Sequence, residues 1–140
     1  MDMLVRIFTD GGARGNPGPA GTGVFITDAD GKTLAAFGEY LGEMTNNQAE
    51  YRAMVAALER AHVLGATEVE AFADSELLVK QLNRQYRVKN AGLAPLFVRI
   101  VGLAQRFRRC TFTHVRREQN CDADRMVNAA IDARGRVDAV

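Results

Sequence analysis

The sequence predicts a mixed α/β fold, and three observations carry that expectation. Strand-like and helix-like stretches follow one another in the order β-β-β-α-β-α-α-β-α. The composition is ordinary for a globular protein, with 47% hydrophobic and 25% charged residues among 140. No internal repeat and no linker interrupts the pattern, so residues 1–140 read as a single domain.

Each element has a local reason. Residues 3–9 (MLVRIFT) read as a strand, followed by a Gly/Pro-rich loop from Gly11 to Gly21. Residues 22–28 and 33–40 read as strands joined around Asp30-Gly31, a hairpin dipeptide. Thr45 followed by Gln48 matches a capping box, which predicts a helix from about 46 to 63 with Gly65 just past its end. Residues 68–73 (EVEAFA) alternate as a strand does, and Ser75 can cap a helix over 76–83. Pro95 opens a helix to about 107, residues 110–115 read as a strand, and Asn120 can cap a last helix to about 133. The tail 134–140 is expected to fray.

Several classes fall away. No apolar run approaches the ~18 residues of a membrane span, and the N-terminus has an acid where a signal peptide carries a base. The expectation is a cytoplasmic monomer with no membrane partner. Two cysteines make neither a disulfide framework nor a four-ligand zinc site, although a Cys110–Cys121 bridge stays open. Gly31-Lys32-Thr33 resembles the end of a P-loop, but Ile26 stands where its first glycine belongs. The Gly-rich segment 11–21 runs into a strand, whereas a dinucleotide fingerprint needs a helix.

The near-neutral total of +1 hides an asymmetry. Residues 77–117 carry ten bases and no acid, whereas residues 1–76 carry five bases and twelve acids. A basic block of this length is the footprint of a polyanion partner, and nucleic acid ranks ahead of a merely solvated face.

Carboxylates stand where structure alone does not ask for them. Asp10 and Asp74 each end a strand, the position where open sheets collect ligands. Singly, each could be a turn or cap residue. Glu50 heads an apolar helical stripe of Met54, Ala57, Leu58 and Ala61, and a buried Glu is costly unless paired or coordinated. Asp124 repeats the pattern with Val127 and Ile131. Together the four make a candidate divalent-metal cluster, because hard Mg²⁺ takes carboxylate oxygens and four like charges need a counter-ion.

Four segments, in order and covering almost the whole chain, resemble the ribonuclease H type 1 family: Thr9 to Gly21 (TDGGARGNPGPAG), Thr45 to Glu50 (TNNQAE), Asp74-Ser75, and Arg117-Glu118-Gln119-Asn120 through Ala123-Asp124. The resemblance implies a ribonuclease H-like fold, with a five-stranded mixed sheet of order 3-2-1-4-5 and helices on both faces. It implies endonucleolytic hydrolysis of the RNA strand of RNA–DNA hybrids, leaving 5′-phosphate and 3′-hydroxyl ends. It places Asp10, Glu50, Asp74 and Asp124 on the family's metal-binding carboxylates, with two Mg²⁺ per site and Mn²⁺ as a substitute. By the same analogy Asp10 bridges both ions, Glu50 and Asp74 serve one, and Asp124 serves the other. Gly11, Gly12, Asn16, Thr45, Asn46 and Asn47 fall on positions that contact the substrate. Asn16, Asn46 and Asn47 are also explained by turn and helix-start chemistry.

The sequence departs from the family pattern in three places. A His-bearing loop before the last aspartate is replaced by Arg116-Arg117, with Arg117 favoured as the cation at the scissile phosphate over His114 in the preceding strand. Residues 84–94 are too short for a full basic protrusion. Glu76 stands where relatives often carry Gln. The shortened loop leaves double-stranded RNA open as a second substrate. A different nuclease on the same fold, and a binding module without catalysis, are the competing readings; the presence of all four acids argues against the latter.

Overall fold

A computed structural model describes residues 2–140. Five strands and four helices form where the sequence predicts them: β1 (Leu4–Ala13), β2 (Gly18–Asp28), β3 (Thr33–Met44), α1 (Asn46–Val63), β4 (Glu68–Ala73), α2 (Glu76–Leu82), α3 (Ala94–Ala104), β5 (Arg109–His114) and α4 (Cys121–Ala133). A sixth strand, β6 (Val137–Asp138), and a 3-10 turn at Arg117–Gln119 complete the chain.

The sheet runs β5-β4-β1-β2-β3-β6. The expected order 3-2-1-4-5 is present, but there are six strands rather than five. The segment 134–140 does not simply fray. Val137 pairs with Gly38 and Asp138 with Phe37, and Arg136 reaches Glu39 at 2.7 Å. Two residues are too few to show an alternating pattern, so only the open edge of β3 decides that they become a strand.

β1, β2 and β3 are antiparallel neighbours, whereas β1, β4 and β5 run parallel. Parallel neighbours need long crossovers, and α1, α2 and α3 supply them. These helices close one core with the sheet: Val5, Ile7, Val24 and Ile26 pack with Met54 and Leu58 of α1, Leu78 and Leu82 of α2, and Ile100 and Leu103 of α3. α4 lays Ala123, Val127, Ala130 and Ile131 on the other side. Helices therefore cover both faces, as expected.

The Gly/Pro-rich stretch 11–21 is mostly strand, not loop. Gly11, Gly12 and Ala13 pair with Thr22, Gly21 and Ala20. Only residues 14–17 turn. Glycine content reads as a loop, but here the glycines serve close packing.

Candidate active site

Asp10 does not end its strand; it sits inside β1, opposite Gly23 of β2. What ends there is the pairing with β4, whose last matched pair is Thr9 with Ala73. Asp74 is the next residue, so parallel register sets it beside Asp10 although 63 residues lie between them in the chain.

Glu50 and Asp124 reach the same place from opposite faces because two glycines let helix backbone touch strand backbone. A Cβ at Gly11 would collide with the Ala49 carbonyl and the Glu50 amide. A Cβ at Gly23 would collide with the Ala123 carbonyl. α1 and α4 thus rest directly on the sheet one residue before their carboxylates. The four acids line one cavity of about 340 Å³, shared with Gly11, Gly12, Arg14, Asn46, Arg117 and Asn128.

Crowding changes their acidity. Burial, then the charge of Asp74, then a hydrogen bond and charge from Asp124, push the Asp10 carboxyl up to about 8. Burial chiefly pushes Glu50 up to about 7, with Asp74 adding and a hydrogen bond from Ser75 opposing. Burial and neighbouring charge thus disfavour the ionised forms of Asp10 and Glu50 near neutral pH. Among the described residues, no three Asp, Glu, His or Cys side chains stand close enough to grip one ion unaided. The carboxylates instead surround the cavity. The donor set is all hard oxygen, and both cysteines lie outside the lining, so the residues suit an Mg²⁺-class ion and not a soft one.

The neighbouring polar residues divide. Asn46 Oδ1 accepts from the Ala13 amide at 2.7 Å, and Asn16 Oδ1 accepts from the Asn46 amide at 3.1 Å. These oxygens bind the 14–17 turn to the start of α1, and the side-chain amides remain as donors. Asn47 is exposed, and its side chain makes no hydrogen bond among the described residues. Thr45 caps α1, accepting from the Gln48 amide at 3.2 Å, with the reciprocal bond of the capping box also present. Gly11 N donates to Asp10 Oδ1 at 3.0 Å.

Comparison with known proteins gives one answer. Residues 8–130 match the family model described as reverse transcriptase-like. A protein of Mycobacterium tuberculosis named bifunctional protein Rv2228c is 46% identical over 132 residues, 94% of this chain. The solved N-terminal RNase H domain of Rv2228c superimposes with a TM-score of 0.92 at 44% identity, covering 94% of this chain and 96% of that one. LC11-RNase H1, solved in complex with an RNA/DNA hybrid, superimposes with a TM-score of 0.89 at 47% identity, covering 93% and 98%. The chain belongs to the type 1 ribonuclease H family. It spans only 36% of the length of the mycobacterial relative, and 64% of a ribonuclease HI from Halobacterium salinarum that is 41% identical over 128 residues, 91% of this chain.

Within that ribonuclease H frame, the expected departures take definite positions. Arg117 lines the carboxylate cavity; His114 does not. His114 is exposed on β5, its Nε2 3.3 Å from the Asp74 carbonyl. The acid-free stretch is not one basic face. Lys80 pairs with Glu76, Arg99 with Glu59, Arg108 with Asp2, and Arg109 with Glu68 and Glu70. Among the described residues Arg84, Arg87, Lys89, Arg106, Arg116 and Arg117 have no acidic partner. Arg84 and Arg87 border a second cavity of about 520 Å³ with Tyr86, Val88, Phe97 and Val98.

Sequence reading missed Arg14 and Asn128 as cavity residues. Arg14 Nη1 lies 2.7 Å from Asp132, and its Nη2 donates to Asn128 at 3.3 Å. A signal existed: Asn128 and Asp132 follow Asp124 at i+4 and i+8, on one helical face. The cysteines are both free. Burial pushes Cys110 up to about 12, which leaves it an inert thiol.

Proposed function

We propose that this chain is a metal-dependent endonuclease that hydrolyses the RNA strand of RNA–DNA hybrids and leaves 5′-phosphate and 3′-hydroxyl ends. The observation that carries the reading is the convergence of Asp10, Glu50, Asp74 and Asp124 from β1, α1, the end of β4 and α4 on one cavity. The hybrid-bound LC11 relative supports the substrate.

Asp10, Glu50, Asp74 and Asp124 would hold two Mg²⁺ ions, with Mn²⁺ as a substitute. When bound, such ions supply charge: they make water a better nucleophile and stabilise the leaving oxygen of an in-line displacement. Water oxygen bonds to phosphorus, the P–O3′ bond breaks, and the 3′-oxygen takes up a proton. Gly11 and Gly12 present backbone to the cavity, and Gly12 puts no side chain there, which supports close approach of a sugar–phosphate backbone. The free amide groups of Asn16 and Asn46, and the exposed Asn47, offer partners to RNA 2′-hydroxyls, the groups that distinguish RNA from DNA. Thr45 is the residue before Asn46, which lines the cavity. Arg117 lines the cavity and has no acidic partner among the described residues, which supports a role at the scissile phosphate. Residues 1–140 act as one unit and as a monomer in this reading.

The test is cleavage of one end-labelled RNA offered as hybrid, as duplex RNA and as single strand, with Mg²⁺ or chelator, by wild type and Asp10→Asn. Metal-dependent cutting of the hybrid, lost in the variant, is expected. Cutting of duplex RNA as well would widen the substrate class with the same site. Hybrid binding without cutting in Mg²⁺ or Mn²⁺ would overturn the enzyme in favour of a binding module.

A further inference from the structure

Asn120 stands at the N-cap of α4. An asparagine there ordinarily accepts a hydrogen bond from an amide of its own helix's first turn. This one makes no such bond. Its Nδ2 donates to the carbonyl of Thr9 at 2.8 Å, across 111 residues of sequence. Its Oδ1 is buried without a partner, and the residue is 1% exposed. A forgone cap and an unpaired buried oxygen both cost stability. A residue serving only the helix would cap it, and one serving only the core would be apolar.

The two ends of this contact identify its use. Thr9 is the residue before Asp10. The Asn120 carbonyl accepts from the Asp124 amide at 3.1 Å. One side chain therefore fixes the peptide that leads into one carboxylate, while its own backbone opens the helical turn that carries another. Apart from the contact between the Asp10 and Asp124 carboxyls themselves, no other hydrogen bond among the described residues joins β1 to the first turn of α4. The close approach of Gly23 to Ala123 sets how near the helix lies, but van der Waals contact alone lets it slide; a directed bond sets its register.

We infer that Asn120 is a positioning residue that sets the spacing of Asp10 and Asp124, and through it the affinity of the site for a divalent cation. The inference rests on the metal-ligand reading of the four carboxylates. Groups one step behind metal ligands typically change affinity or activity 10–100-fold when removed.

The experiment compares wild type with Asn120→Ser, Asn120→Ala and Asp10→Asn. Serine is a good N-cap but a shorter side chain without the amide donor, so it separates capping from the bond to Thr9. Mn²⁺ uptake is followed by the loss of the free-ion electron paramagnetic resonance signal. Melting and hybrid binding are measured in chelator, and kcat and KM in Mn²⁺. The expected result for Asn120→Ser is a melting temperature close to wild type, a Mn²⁺ Kd raised roughly tenfold or more, and unchanged hybrid binding in chelator. Its kcat falls, its KM hardly moves, and added Mn²⁺ restores part of the rate. A Mn²⁺ curve for Asn120→Ser that overlays wild type overturns the inference, whatever becomes of Asn120→Ala. Wild-type uptake no greater than that of Asp10→Asn would instead overturn the metal reading itself.

Discussion

The carboxylate cavity and the basic cavity around Tyr86 are built on opposite principles. The first is made by backbone. β1, β4, α1 and α4 each contribute one acid or its immediate neighbour, and Gly11 and Gly23 remove every atom that would hold those elements apart. The second is made by side chains on the irregular stretch between α2 and α3, where Arg84, Tyr86 and Arg87 are exposed. Chemistry that depends on fractions of an ångström sits on packed regular elements; long-range attraction for a polyanion tolerates a loop. Damage should therefore be steep in the first region and graded in the second.

The largest expected effect is that of Asp10→Asn. Hybrid cleavage should fall by on the order of 10³-fold or more, because groups that act as a unit fail together. The metal-free fold should gain stability, since the amide relieves the crowding that pushes Asp10 up to about 8. Steady-state kinetics and melting in chelator check both halves; a variant both inactive and less stable would break the assignment of strain to function.

Gly23→Val comes next. Its side chain meets the Ala123 carbonyl, and overpacking of this kind costs roughly 3 kcal/mol. Urea unfolding should show that loss, and cleavage should fall with it as α4 is displaced. Gly31→Ala, at a turn with φ of +88° and open space around it, should cost about 1 kcal/mol and spare activity.

The third prediction concerns pH in chelator. Asp10 and Glu50 titrate near 8 and 7 when folded, against 3.8 and 4.5 ordinarily. Between those limits the folded state binds more protons than the unfolded one, so stability falls as pH rises. The contribution is fully present below pH 4 and lost as pH rises through 7–8. Mg²⁺ should flatten this slope by holding the ionised forms, and Asp10→Asn should flatten it without metal. A metal-free melting temperature that climbs from pH 5 to pH 8 would contradict it.

The smallest effect belongs to the basic cavity. Arg84→Ala with Arg87→Ala should weaken hybrid binding up to about tenfold at low salt and hardly at all at high salt. The slope of log K against log salt should shrink by about 1 to 2, with kcat unchanged. Anisotropy titrations over a salt series measure this; a salt-independent loss would assign the grip to Tyr86 and Phe97 stacking instead.

The ends of the structure show where sequence reading stops. Thr45 and Gln48 announce α1 because a capping box is local chemistry, and it forms as expected. Asn120 looks equally like a cap, yet its bond goes to Thr9; no local rule reveals a partner 111 residues away. Arg108, Arg109 and Arg99 look like polyanion ligands until folding brings acids from the first half of the chain beside them.

The sequence by itself determined the alternation of strands and helices, the helix starts, and which acids stand at positions where acids are costly. These follow from periodicity, capping and desolvation, all written in residues a few places apart. Only the tertiary structure decided that the Gly-rich segment is strand, that Val137 and Asp138 join the sheet, that Arg117 rather than His114 faces the carboxylates, and that Arg14 and Asn128 border them. Each of these depends on what lies across a strand pair or beneath a helix, and such distances come from packing rather than from order along the chain.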